Sequence, residues 1–255
     1  MVDILYVVGT GSKRVNDLPL RWSLRSIAKF ASNVGRIVVV GYPPAWLSDK
    51  VVSLPFKDPY RGKHWNILAC IRHAVKHGGL KGRFLYSSDD HYLLKPADMD
   101  LWPRYHKGYC KNFFEYCSSR GEVPGPYQMS IVATRRLLER SNLSHLMSCC
   151  HMNTWMDADD METVWRLAWK AKELTPGYGP EPSCLFGAVR LEKAPDTEFT
   201  ECPDDSKVVS ADDLRRKVES DLPAFSTANN AEMQPELVAA MDALFPEKSP
   251  WERQA

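Results

Sequence analysis

Arg83-Phe84-Leu85-Tyr86-Ser87-Ser88-Asp89-Asp90-His91 runs from a short apolar stretch straight into two adjacent carboxylates and a histidine. Residues 83–88 have the length and the aliphatic and aromatic content of a buried strand, which has to stop where the charges begin. Upstream, residues 63–77 read as a helix and 51–54 as a short strand. Residues 36–40 (RIVVV) read as a buried strand closed by Gly41-Tyr42-Pro43-Pro44, and 3–8 (DILYVV) as a strand entering Gly9-Thr10-Gly11-Ser12. Between them, residues 20–31 form an amphipathic helix with Leu20, Leu24, Ile27 and Ala31 on its buried face and Arg21 and Arg25 one turn apart. Strand, helix, strand, strand, helix, strand predicts an α/β fold, Rossmann-like with a mostly parallel sheet. Ligands of such sheets bind beyond the carboxyl ends of the strands. Residues 9–14, 41–44 and 89–91 all fall there.

Beyond Pro96 the pattern loosens. Residues 134–147 and 159–172 are expected to be helical, 175–182 a Gly/Pro loop, 184–190 (CLFGAVR) a returning strand and 235–244 a terminal helix. The acidic, Pro-containing stretch 193–210 is expected to be exposed. The chain therefore divides into an α/β half, 1–110, and a more helical half, 111–255, of the same domain.

Composition narrows the setting. With 255 residues, 44% hydrophobic and 25% charged, the chain can bury a sizeable core. No apolar run approaches the roughly 18 residues of a membrane span, and the start, MVDIL, has neither a basic n-region nor a cleavage site. Seven cysteines form no CxxC pair, so reduced thiols and a cytoplasmic location are expected. The net charge of +1 hides an asymmetry: residues 1–111 hold 18 Lys+Arg against 8 Asp+Glu, and the remainder hold 15 against 24. A basic first half suits nucleotide diphosphates or a polyanion, or is neutralised internally by the acidic half.

Asp89 and Asp90 at a strand end offer the hard oxygen ligands that Mg²⁺ or Mn²⁺ prefers, with His91 as an adjoining nitrogen ligand or phosphate contact. The metal would neutralise charge on a departing nucleoside diphosphate. The loop Gly9-Thr10-Gly11-Ser12-Lys13-Arg14 either cradles the nucleotide, with Lys13 and Arg14 on phosphate, or is an ordinary turn. Arg21 and Arg25 either reach that pocket or stay on a solvated helix face. Lys63 and Asn66 open a helix, where backbone N–H groups favour pyrophosphate or sugar. His151, followed by Asp157, Asp159 and Asp160, is the candidate base or second metal contact, alongside Asp90 as catalytic carboxylate. Trp155, Trp165 and Trp169 are expected in the core.

The run 20–27 (LRWSLRSI), Ile37–Gly41 with Pro44-Ala45-Trp46-Leu47, and Ser88-Asp89-Asp90-His91 resemble the Stealth family of capsular sugar-phosphate transferases. They are still more similar to short GT-A-like glycosyltransferases encoded by bacteriophages and some bacteria. Those proteins open with a YVVG-x-GS loop, here residues 6–12, and close with an FPEKS-x-x-E tail, here 245–249 with Glu252. The resemblance covers residues 3–110 and the tail. It implies a GT-A-like fold, a metal pair at Asp89 and Asp90, a nucleotide loop at Gly9–Ser12, and Arg21 and Arg25 facing phosphates. Stealth proteins carry asparagine before the acidic pair where this chain has Ser88, which favours glycosyl transfer over sugar-phosphate transfer. The expected activity is sugar transfer from a nucleotide donor, a UDP-sugar, to a hydroxyl acceptor with Mn²⁺ or Mg²⁺. The specific acceptor expected is a hydroxymethylated pyrimidine such as 5-hydroxymethylcytosine in phage double-stranded DNA, reached through the basic half in the host cytoplasm. The rivals are a cell-envelope glycosyl- or sugar-phosphate transferase and a non-catalytic nucleic-acid-binding module.

Overall fold

The structure is a computed structural model that describes the chain except residues 11–16, 61, 112, 149, 171, 173–176, 205, 229–233 and 254–255 and the side chain of Phe114. The first half carries β1 (Val2–Val8), α1 (Leu18–Phe30), β2 (Ala31–Ser32), β3 (Val34–Gly41), β4 (Val51–Pro55), α2 (Lys63–His77) and β5 (Arg83–Ser87). Short strands β6 (His91–Leu93), β7 (Ala97–Asp98) and β8 (Tyr105–His106) follow. The second half carries α3 (Phe113–Ser118), α4 (Pro126–Arg140), β9 (Thr154–Asp157), α5 (Met161–Lys170) and α6 (Pro182–Lys193). It ends with β10 (Thr200–Glu201), α7 (Ala211–Glu219), β11 (Ala224–Ser226) and α8 (Pro235–Leu244).

The central sheet has the order β4-β3-β1-β5-β9. The first four strands are parallel, with Ile4 opposite Ile37 and Leu85, and Val38 opposite Val52. Strand β9 closes the edge antiparallel to β5, with Phe84 opposite Met156 and Tyr86 opposite Thr154. This is the mostly parallel α/β architecture that the sequence predicts.

Alternation along the strands sends side chains to two separate cores. Leu5, Val38, Val40, Phe84 and Met156 face α2, α5 and α6 through Trp65, Leu68, Ile71, Val164 and Phe186. Ile4, Tyr6, Ile37, Val39, Leu85 and Trp155 face α1 through Leu20, Leu24 and Ile27. A third cluster packs α7, α8 and β11 against Trp22 and Tyr92, with Leu214, Phe225, Leu237, Met241 and Phe245 fully or nearly buried.

Three expectations for the second half change. Residues 184–190 lie in helix α6 rather than a strand. Pro182 sits in its first turn, Glu181 caps it by accepting from the Cys184 N–H at 2.8 Å, and every residue from Pro182 to Val189 is buried. A helix without a polar face has no readable period, so its apolar run cannot be told from a strand. The strand that returns to the sheet is β9. Helix α4 begins eight residues before the expected 134, at Pro126, where the Gln128 side chain accepts the Gly125 N–H at 2.7 Å. It ends at Arg140, before Asn142 turns left-handed at φ 52°. The stretch 193–210 is not uniformly exposed: Val208 is fully buried and bridges Thr227.

Candidate functional site

The carboxyl edge of the sheet is shaped by backbone. Gly41 ends β3 at φ 105°, and a Cβ there would lie 2.4 Å from the Val8 carbonyl oxygen. That carbonyl accepts the Tyr42 N–H at 2.9 Å, so the chain turns tightly around the end of β1. Gly9 and Thr10, just past β1, are exposed, and a side chain at Gly9 would meet nothing within 4 Å. The rest of the expected nucleotide loop, Gly11, Ser12, Lys13 and Arg14, lies outside the described residues.

Next along the edge, β5 stops at Ser87 and Asp89-Asp90 form the turn that feeds β6. The His91 N–H donates to the Ser88 carbonyl at 3.3 Å. Small side chains of α1 clamp this turn from below. Ser23 Oγ donates to the His91 carbonyl at 2.6 Å, so the Tyr6 hydroxyl, 2.9 Å away, donates to Ser23. Ser26 Oγ accepts the Leu93 N–H at 3.1 Å. The buried Ser23-x-x-Ser26 face therefore fixes the strand on which the acidic pair stands.

Strand β6 pairs antiparallel with β11, placing Ser226 opposite His91. Beyond β11 the Val208 N–H donates to the Ser226 carbonyl at 2.8 Å. This neighbouring segment delivers Lys207, whose Nζ donates to Asp90 Oδ2 at 3.0 Å. The Asp90 side chain is 24% exposed, and its Oδ1 lies 3.9 Å from His91 Nε2. Burial pushes the Asp90 pKa up, but the positive charge of Lys207, then His91 and His151, outweighs it and leaves the group below the usual carboxylate range. The charge of His151 thus reaches Asp90, although the two lie far apart in sequence.

Asp89 sits near two phenols. Burial first, and the Asp89 charge in addition, push Tyr6 up to about 12 and raise Tyr86 as well. The charge of Glu181, which is 7% exposed, also acts on Tyr86, and burial raises the Glu181 pKa. Tyr178 senses Lys207. Lys207, Glu181 and Tyr178 are functional candidates that the sequence reading missed. Glu181 before Pro182 is a capping signal that could have flagged a helix start. Lys207 had only its isolation among acids.

The other expected residues are distributed differently. Arg21 Nη1 donates to Glu252 Oε2 at 3.1 Å, and Arg25 Nε and Nη2 donate to both Glu252 oxygens at 2.9 and 3.1 Å. Both arginines therefore face the C-terminal tail instead of the turn at Asp90, because the i,i+4 stripe they occupy lies beside the tail. Asn66 Oδ1 accepts the Tyr60 N–H and its Nδ2 donates to the Tyr60 carbonyl, each at 2.9 Å, so its amide closes a loop. Lys63 is exposed at the start of α2. Asp157, Asp159 and Asp160 part company with His151 because β9 runs antiparallel and carries the chain about 10 Å toward the amino edge. Trp155 is buried as expected, whereas Trp169 is 43% exposed.

Among the described residues no group of three or more His, Cys, Asp or Glu side chains is gathered as a metal site. The donor chemistry at the turn still suits a hard divalent cation, because Mg²⁺ typically takes one or two carboxylates and completes its shell with substrate phosphates and water. Lys207 covers one Asp90 oxygen, and Oδ1 is directed to the His91 side. No described helix is long and apolar enough to cross a membrane.

No protein-family model matches the chain, and no curated protein matches it. Among solved structures it is similar to the apo form of glycosyltransferase GlyE of Streptococcus pneumoniae TIGR4, with a TM-score of 0.41 and 10% identity over 99% of this chain and 66% of that one. A second structure of the same glycosyltransferase gives a TM-score of 0.40 and 9% identity, again over 99% and 66%.

Proposed function

We propose that this chain is a GT-A-like glycosyltransferase that moves a sugar from a nucleotide donor, a UDP-sugar, to a hydroxyl acceptor. The observation that carries the reading is the convergence of Asp89, Asp90, His91, His151 and Lys207 at the carboxyl edge of a mostly parallel sheet. Ligands of such sheets bind at this edge. In the reaction the bond from the anomeric carbon to the diphosphate oxygen breaks, the acceptor oxygen bonds to that carbon, and the acceptor proton passes to a base. His151, whose charge reaches Asp90, is the residue assigned as that base in this reading. Lys207, held over Asp90, is placed to meet negative charge that develops on the leaving diphosphate. Mn²⁺ or Mg²⁺ held by Asp89 and Asp90, with His91 beside them, would supply further charge neutralisation. Gly9 leaves open backbone for close approach of the nucleotide.

The test is a nucleotide-sugar panel read by release of nucleoside diphosphate, with Asp90→Ala alongside. Asp90→Ala is expected to abolish turnover and keep the fold, since its side chain fills no core volume. A folded Asp89→Ala/Asp90→Ala variant with full activity sinks the reading. UDP is expected to raise the melting temperature more with Mn²⁺ or Mg²⁺ than without.

For the acceptor, the excess of 18 Lys+Arg over 8 Asp+Glu in residues 1–111 favours a polyanion, specifically a hydroxymethylated pyrimidine in double-stranded DNA. Retardation of duplex DNA that weakens steeply between about 50 and 200 mM salt supports that acceptor. No retardation at about 50 mM salt removes DNA and leaves a cell-envelope acceptor.

A further inference from the structure

At the opposite, amino edge of the sheet a second cationic cluster surrounds one indole. Trp155 of β9 is 5% exposed and donates its Nε1 proton to the Trp102 carbonyl at 2.6 Å, which fixes the ring. The Arg83 guanidinium lies 5.1 Å from the centre of that ring and the Arg104 guanidinium 5.7 Å from it. Neither guanidinium has a hydrogen bond or ion pair with any described side chain or backbone group. Arg190 of α6 joins them. Its Nη1 is 3.8 Å from Asp157 Oδ2, too long for a hydrogen bond, and its Nε is buried without a partner. Lys193, the fourth cation, is paired with Asp160.

Four cations against Asp157 and Asp160 leave a surplus of two positive charges in a partly buried cluster. Burial, then the charges of Arg190 and Arg83, push the Arg104 pKa down to about 10, although Asp157 and Asp160 act in the other direction. Like charges gathered at this cost, with forked donors unfilled, call for an anion. Cation–π attraction to Trp155 holds the Arg83 and Arg104 guanidiniums beside the ring.

We infer that Arg83, Arg104 and Arg190 around Trp155 form a binding site for a tetrahedral oxyanion of the phosphate type, separate from the edge that carries Asp90. The site is independent of the glycosyltransferase reading.

The experiment is thermal unfolding in sodium phosphate against sodium chloride of equal ionic strength. Wild type is expected to gain roughly 3–6 °C at a tenfold excess of phosphate over Kd. Arg83→Gln/Arg104→Gln is expected to melt no lower than wild type in chloride, since repulsion is relieved, and to lose the phosphate increment. Arg83→Gln alone, at an exposed position, is expected to fold and to reduce the increment should the double variant not fold. Lys207→Met is expected to keep the increment in full. Methyl phosphate and dimethyl phosphate, tried in the same assay, tell a monoester from a diester as the natural source. Absence of a phosphate increment in wild type, its survival in the arginine variants, or its loss in Lys207→Met overturns the site.

Discussion

A single lysine and a single histidine carry the sharpest consequences at the level of individual side chains. Lys207 and Asp90 are 27% and 24% exposed, so their ion pair contributes about 1 kcal/mol or less to stability. Lys207→Met should therefore move the melting temperature little while lowering turnover tenfold or more, which steady-state kinetics beside calorimetry would read. Unchanged turnover would make the pair structural. His64 is different. Ser130 gives its only proton to the Gly179 carbonyl at 2.6 Å, so His64 Nδ1, 2.7 Å from Ser130 Oγ, is the donor of that pair. Burial, then the charge of Lys63, pushes the His64 pKa down to about 3. The unfolded chain takes up the proton near pH 6.5 and the folded chain resists it, so the stability is complete above pH 6.5 and is lost as pH falls toward 3. Between pH 7 and 5 wild type should lose about 2 kcal/mol more than His64→Asn in urea unfolding. Of these residues the sequence exposes Asp90, because a carboxylate pair interrupts an apolar run. Lys207 is invisible in it, since its partner lies 117 positions away.

Among the helices, α1 depends on the tail. The Glu252 side chain is 1% exposed and receives Arg21 and Arg25, while the Ser249 N–H donates to it at 2.9 Å. Burial pushes its pKa up, but the hydrogen bonds from Arg25 and Ser249 and the charges of Arg25 and Arg21 hold it below the usual carboxylate range. Glu252→Ala would leave two guanidiniums facing a buried gap and should cost about 3–5 kcal/mol. A denaturant midpoint within error of wild type would contradict that placement. Helices α2 and α8 run over 63–77 and 235–244, the spans that their periodicity predicts, since each shows a polar face. Helix α6 is hidden from sequence because its residues 182–189 are buried on every side and show no polar face. The same physics obscures β9: Thr154–Asp157 is four residues long, and its pairing with β5 is a long-range choice that no local pattern specifies.

Taken as one body, the two halves share a sheet, since β9 from the second half completes what β1 to β5 begin. Tryptophan fluorescence and far-ultraviolet dichroism should therefore report one coincident unfolding transition. Two separated transitions would mean that residues 1–110 and 111–255 fold independently. The antiparallel direction of β9 has a further effect on the chain if it is cut. A fragment ending near residue 110 would bare the outer edge of β5, where Phe84, Leu85 and Tyr86 are buried in the intact chain. Unpaired N–H and C=O groups beside such side chains form a template for other strands. The fragment is expected to precipitate through edge-to-edge association, and the missing half supplied in trans should compete with that aggregation by seating β9 on the open edge.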